Sequence, residues 1–246
     1  MDRMQQTIRN WYEPRLQPGT LAVLWCGPAA RGFDDAGEDL DVRLICDEDA
    51  FTRDWDGGKQ VVRDVASGRV ITARGLLLTA MAREPWGPEQ RFEYSRAQVL
   101  WDSDGRVGGL LRERTAAGGA VRQRECLAAY IELRTLWQGL QHQLSRGDPD
   151  AIAIAAYQVA EAAMRLHFGL DGRGQPPRTW LLPEFRGLNP PIGWQSAVHE
   201  LLRRDGSGDV RRAAAHLVEL GRDAIHETFR ISRGRLDAWG SLAVEG

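Results

Sequence analysis

Asp39 and Asp41 stand one residue apart in Asp39-Leu40-Asp41-Val42, and ten residues separate that segment from Gly27-Pro28. Side chains on a strand alternate between faces, so these two carboxylates point the same way if the segment is extended. Two carboxylates a few ångströms apart repel each other unless a cation or a proton sits between them. Mg²⁺ held by one or two carboxylates together with substrate phosphates is the usual resolution. Upstream, Leu24-Trp25-Cys26-Gly27-Pro28 reads as the end of a buried strand that opens into a glycine turn. A Gly-rich turn lets backbone N–H groups approach phosphates. Arg31 follows closely and can add a charge-assisted contact. The segment is therefore a candidate phosphoryl- or nucleotidyl-transfer site, with Asp39 and Asp41 as catalytic metal ligands and Gly27, Pro28 and Arg31 on the phosphates.

The elements that must hold these residues follow from hydrophobic patterning. Residues 8–16 are an amphipathic helix, and 21–26 form an apolar run of buried-strand length. Residues 39–46 are a second strand, followed by a helix with acidic residues in its first turn, Asp47-Glu48-Asp49. Residues 60–65 and 69–73 read as a hairpin around Ala66-Ser67-Gly68, 75–83 as a helix, and 97–101 as a last strand stopped by Asp102-Ser103-Asp104-Gly105. Beyond residue 105 strand-like alternation disappears. Apolar residues recur at helical spacing over 121–144, 151–168, 195–204 and 210–229. The expectation is an α+β chain: a small mixed β-sheet domain with flanking helices over 1–115, joined through 106–118 to an all-α helical bundle over 116–246.

On these residues the chain resembles the nucleotidyltransferase superfamily, the DNA polymerase β-like fold. The signature there is an apolar residue, Gly, Gly or Ser, about ten residues, then Asp-apolar-Asp-apolar. A small mixed domain followed by a helical bundle is similar to the antibiotic and aminoglycoside nucleotidyltransferases. The resemblance implies transfer of a nucleoside monophosphate, AMP from Mg-ATP, to a hydroxyl of a small-molecule acceptor. It implies Mg²⁺ on Asp39 and Asp41, and a nucleoside triphosphate at the Gly27 turn. Pro176-Pro177-Arg178-Thr179-Trp180 is similar to a helical-domain segment in which a basic residue faces the nucleotide, which makes Arg178 a candidate for that contact.

Two positions depart from the pattern. Pro28 occupies the place of the usual Ser or Gly and has neither an N–H nor a hydroxyl to offer. The third carboxylate expected on a following strand is missing from Gly68-Arg69-Val70-Ile71-Thr72. Asp64 on the preceding strand is the substitute that the sequence offers for the catalytic set, and Glu93 is a further acid in a stretch that reads as helical. These departures give an alternative: a catalytically weakened nucleotide-binding or regulatory protein on the same fold.

Composition narrows the partners. The chain has 246 residues, 43% of them hydrophobic, and a net charge of −2. Without a basic excess, a nucleic-acid partner is not expected. Lys59 is the only lysine, and the remaining basic residues are arginines, which pair well with phosphate. Cys26, Cys46 and Cys126 are too widely spaced for a disulfide framework or a metal-ligand pattern, and the five histidines lack ligand spacing as well. The polar N-terminus and the lack of any long apolar run suggest no secretory signal, no membrane span and a cytoplasmic location.

Overall fold

Thr20–Cys26 is apolar at every position after the first, as a strand covered on both faces must be, and forms β1. Its neighbours are β2 (Leu40–Cys46), β3 (Val61–Ala66), β4 (Arg69–Leu77) and β5 (Gln98–Asp102), in the sheet order β3-β4-β2-β1-β5. β1 runs antiparallel to β2 and β5, β2 parallel to β4, and β3 antiparallel to β4. The computed structural model describes residues 3–33, 39–58, 61–66, 68–116, 118–203 and 209–242. Lys59, Ser67 of the hairpin turn, Ala117 of the joining segment and residues 34–38 of the ten-residue turn lie outside the described residues.

Helices cover both faces of the sheet. On one face α1 (Arg3–Tyr12) and α3 (Glu48–Trp55) pack Ile8, Trp11 and Trp55 against Trp25, Leu40, Val42, Leu44, Ile71 and Ala73. On the other face α4 (Leu78–Arg83), α5 (Pro88–Ser95) and α6 (Arg106–Thr115) cover Ala22, Leu24, Cys26 and Ile45 with Met81, Tyr94, Val107 and Leu111. Period-two alternation puts Asp39, Asp41, Arg43 and Ile45 on this second face. Ile45 is buried in its core, whereas Asp41 and Arg43, opposite the buried Cys26 and Leu24 of β1, are only half-buried toward the N-terminal end of β2.

Asp47 caps α3 by accepting the Ala50 N–H at 2.9 Å, which satisfies one of the donors that a helix start leaves unpaired. Asp47→Ala is expected to lower stability by about 1 kcal/mol, read as a shift in the urea midpoint with an unchanged slope.

The mixed sheet and the helical remainder agree with the α+β expectation, and several boundaries move. β4 continues through Gly75 to Leu77, so the helix expected from residue 75 starts at Leu78. The expected joining segment 106–118 is helical over Arg106–Thr115. There the Asp102 carboxylate accepts the N–H groups of Gly105 at 3.1 Å and Gly108 at 2.8 Å, and so stops β5 and starts α6 together.

By internal contacts the chain divides into two units, Met1–Ala116 and Ala117–Gly246. Among the described residues the second carries helices and no strand: α7 (Gly119–Arg146), α8 (Pro149–Asp171), α9 (Leu181–Gly187), α10 (Ile192–Leu202), α11 (Val210–Phe229) and α12 (Arg233–Leu242). Its core gathers Tyr130, Leu133, Val159, Leu166, Phe168, Phe185, Trp194, Leu217 and Ile225. All three cysteines are buried and unbridged. Among the described residues no helix is long and apolar enough to cross a membrane.

Candidate active site on the sheet face

β1 ends at Cys26, and Gly27–Ala30 turn through a single helical turn, α2. Two constraints make residue 27 glycine. Its φ is +78°, a left-handed conformation that L side chains rarely adopt. A Cβ there would also lie 2.4 Å from Asp41 Oδ2. The strand pairing explains the closeness, because Cys26 is directly opposite Asp41. The turn is therefore held hard against one carboxylate of the pair. Gln98 fastens it from the other side by donating to the Ala30 carbonyl at 2.9 Å.

Pro28 takes the first-turn position, where its missing N–H costs nothing to the helix. Its carbonyl accepts the N–H groups of Arg31 at 2.9 Å and Phe33 at 3.2 Å, so those two donors are committed within the turn. The Arg31 guanidinium lies 5.4 Å from the centre of the Phe92 ring, over its face.

Asp39 and Asp41 share the open face of the sheet. Asp39 Oδ2 accepts from the Thr72 hydroxyl at 2.7 Å and from Arg63 Nη2 at 2.9 Å. These hydrogen bonds hold its carboxyl below the usual carboxylate range. Burial raises the Asp41 carboxyl, the Arg43 guanidinium pulls it back, and the Asp39 charge pushes it up again. Arg43 Nη1 stands 3.6 Å from Asp41 Oδ1, and Nη2 stands 3.2 Å from Glu93 Oε1 on α5. The site is thus a row of alternating charge, Asp39, Asp41, Arg43 and Glu93. Cys26 lies behind it, its thiol pushed up by burial and by the Glu93 carboxylate.

Asp64 does not join this row. It is paired with Ile71, whereas its neighbour Arg63 is paired with Thr72. Residues opposed across strands share a face, so Asp64 points to the side of Ile71 and Leu40, away from Asp39 and Asp41. There it accepts from Trp11 Nε1 at 3.0 Å and Arg15 Nη2 at 2.8 Å. The expectation that Asp64 supplies the third catalytic acid is corrected on this ground. The positions of β4 on the site face are Thr72 and Arg74, which lie beside Asp41 and Arg43 in the parallel register. Glu93 is the acid that reaches the row, and it does so from a helix, through Arg43.

Arg178 belongs to the helical unit, where its guanidinium bridges to Glu161 Oε2 at 2.8 Å and lies over the Tyr157 ring at 5.4 Å. Arg43 and Thr72 escaped the sequence reading for different reasons. Arg43 is two residues beyond Asp41, so strand periodicity alone places it on the carboxylate face. Thr72 needs the β2–β4 register, which no local pattern supplies.

The donor set can be weighed against Mg²⁺. Among the described residues no group of three or more His, Cys, Asp or Glu side chains is arranged to hold a metal ion. Two carboxylates are nevertheless what Mg²⁺ commonly takes from a protein when substrate phosphates and water complete its octahedron. Asp41 Oδ2 faces the Gly27 turn, and the side chains of Asp39 and Asp41 are 30% and 28% exposed, enough for an ion to arrive from solvent. The residues fit an ion that arrives with phosphates rather than one caged by the protein.

The fold is nucleotidyltransferase-like. No protein-family model and no curated protein sequence matches the chain. Among solved structures, the chain is similar to a nucleotidyltransferase-like protein from Exiguobacterium sibiricum 255-15. The two are 14% identical with a TM-score of 0.52, over 92% of this chain and 78% of that one. At this identity the likeness establishes the fold alone.

Proposed function

We propose that the protein is a nucleotidyltransferase that moves a nucleoside monophosphate, AMP from Mg-ATP, to a hydroxyl of a small antibiotic-like acceptor. The observation that carries this reading is the approach of the Gly27 turn to Asp41 Oδ2, beside Asp39 on the same strand face. In a nucleotidyltransferase-like fold, that juxtaposition is a place for a triphosphate and its metal ion. Mg²⁺, when bound, would neutralise phosphate charge and hold the donor in line with the acceptor oxygen. Asp39 and Asp41 would hold the ion. Gly27 lets the turn lie directly against Asp41, and Arg31 would contribute charge at the end of the turn. A location in the cytoplasm belongs to the same reading.

A second reading is favoured by the arginines. Arg63 on Asp39 and Arg43 beside Asp41 already offset part of the charge that would attract a metal ion, and β4 offers Thr72 and Arg74 on this face in place of an acid. A protein built this way binds nucleotide and turns over slowly or not at all. A missing general base alone would cost about 10²–10⁴-fold in rate.

Two measurements separate the readings. Mg-ATP at about 100 times its Kd is expected to stabilise the fold by about 2.7 kcal/mol in either case. Release of pyrophosphate with a panel of hydroxyl-bearing acceptors is expected only for the enzyme. If Mg-ATP produces no stabilisation, both readings fail.

A further inference from the structure

Strand order gives the site on the sheet two sides. β2 carries Asp39 and Asp41. The Gly27 turn leaves from β1 on one side of it, and β4 followed by β3 lies on the other. Transfer at phosphorus needs the attacking and leaving oxygens roughly in line. On the nucleotidyltransferase reading, on which this inference rests, a triphosphate at the Gly27 turn has its leaving pyrophosphate toward β1. The acceptor hydroxyl then approaches over β4 and β3, and what those strands present decides which acceptor fits.

Residues opposed across strands share a face. The register sets Thr72 and Arg74 of β4 beside Asp41 and Arg43 of β2, and pairs Val70, Thr72 and Arg74 with Val65, Arg63 and Val61 of β3. Among the described residues, this side of the face therefore displays two guanidiniums, a hydroxyl and three valines, and no carboxylate. Val61, Arg63, Val65 and Arg74 are all exposed. The Thr72 hydroxyl and Arg63 Nη2 are committed to Asp39. A guanidinium carries more donors than that one contact uses. Arg74 makes no hydrogen bond or ion pair among the described residues, and only its charge is felt at Asp41. Arg63 and Arg74 are diagonal neighbours across the β3–β4 pair, a separation of about 7–8 Å that long side chains close. They can meet on one group.

We infer that the acceptor is an anion, a hydroxyl compound bearing a phosphate or a carboxylate that Arg74 and Arg63 hold while its hydroxyl lies toward Asp39 and Asp41. Guanidinium forks match both oxyanions. A polycationic acceptor such as an aminocyclitol would meet two like charges here and find no acid to hold its amines. The valines flank the guanidiniums and would cover an apolar part of the same molecule. In the transfer, the acceptor oxygen bonds to the α-phosphorus of ATP, the bond to the pyrophosphate oxygen breaks, and the hydroxyl proton passes to water.

The test uses the full chain and matched hydroxyl compounds: glucose and glycerol as neutral parents, their phosphate esters, gluconate and glycerate as carboxylates, and glucosamine as the cation. Binding is read by calorimetry without nucleotide, and turnover as pyrophosphate release with Mg-ATP. A phosphate ester or a carboxylate is expected to bind at least about tenfold more tightly than its neutral parent, with glucosamine no better than glucose. Whichever anion binds more tightly identifies the group. Arg74→Gln, at an exposed position without a partner, is expected to weaken the anion about tenfold and to keep the stabilisation by Mg-ATP. Arg74→Glu should favour glucosamine over the anions. The inference is overturned if neither anion binds better than its neutral parent, if glucosamine binds best to the parent protein, or if Arg74→Gln loses the response to Mg-ATP and keeps the anion. Mg-ATP stabilisation without a preference for anions overturns this inference alone. An anion held through Arg74 in a protein that Mg-ATP does not stabilise sinks the nucleotidyltransferase reading, and the acceptor role with it.

Discussion

Asp41→Asn will melt at a higher temperature than the parent in the absence of nucleotide, and it will lose the stabilisation by Mg-ATP. The two effects have one origin. Burial and the Asp39 charge raise the Asp41 carboxyl, so at neutral pH the folded state holds an ionised group that the fold itself disfavours. A carboxyl whose folded-state value lies above its unfolded one subtracts stability at pH above both. Asparagine removes that charge, leaves Arg43 with Glu93, and keeps the shape beside Gly27. The gain should fade as pH falls through the carboxylate range, where the parent protonates Asp41 for itself. Asp39 has the opposite sign. Thr72 and Arg63 lower its carboxyl, so its contribution is present above the ordinary carboxylate range and is lost on acidification. Asp39→Asn should therefore lower the melting temperature at pH 7 and converge with the parent in acid. On the enzymatic reading, turnover of Asp41→Asn falls by about 10³-fold, since a metal ion contributes several kcal/mol and each 1.36 kcal/mol is a factor of ten. A matched melting curve and unaltered Mg-ATP response in Asp41→Asn would sink the assignment of this row as the metal site.

The asymmetry between the two carboxylates shows what local sequence can carry. That Asp39 and Asp41 share a face follows from the two-residue period of a strand, and that Gly27 opens a turn follows from the end of an apolar run. Their meeting does not follow from either. It depends on Cys26 pairing with Asp41, an antiparallel register fixed by burial of Val23, Trp25, Leu40 and Val42 on one side and Leu24 and Ile45 on the other. Asp64 shows the same limit from the other direction. Its proximity in sequence to the expected third acid made it a candidate, but one step of register decides the face. Arg63 holds the place on the site side. Glu93 was legible as a helical acid, while its path to the row through Arg43 belongs to the docking of α5 on the sheet. In the second unit α7, α8, α10 and α11 were readable from long apolar periodicities. The first turn of α6 was not, because it depends on the Asp102 side chain reaching forward to Gly108.

Gly75 illustrates how a residue that argued for one element locally is required in another by packing, and it sets the largest expected effect on stability. A glycine after Arg74 reads as the end of a strand. It lies instead within β4, paired with Leu44, because the indole of Trp55 covers it. A Cβ at residue 75 would stand 2.2 Å from Trp55 Cγ and 2.5 Å from two further ring carbons. Trp55 ends α3 and is 7% exposed in the core that also holds Trp11, Leu44 and Ala73. Gly75→Ala is thus an overpacking change, expected to cost about 1–3 kcal/mol, and the larger Gly75→Val approaches the about 3–5 kcal/mol of losing the tryptophan outright. A double-mutant cycle distinguishes this account from a general intolerance of β4. Trp55→Ala alone should cost about 3–5 kcal/mol. On that background Gly75→Ala meets no ring, and it should be neutral or stabilise by about 0.5–1 kcal/mol, the usual advantage of alanine over glycine within an element. The coupling between the two positions, measured by urea denaturation followed through far-ultraviolet circular dichroism, should reach about 1–3 kcal/mol with the sign of relief. Additive costs would mean that Gly75 is required by the strand itself and not by the indole above it.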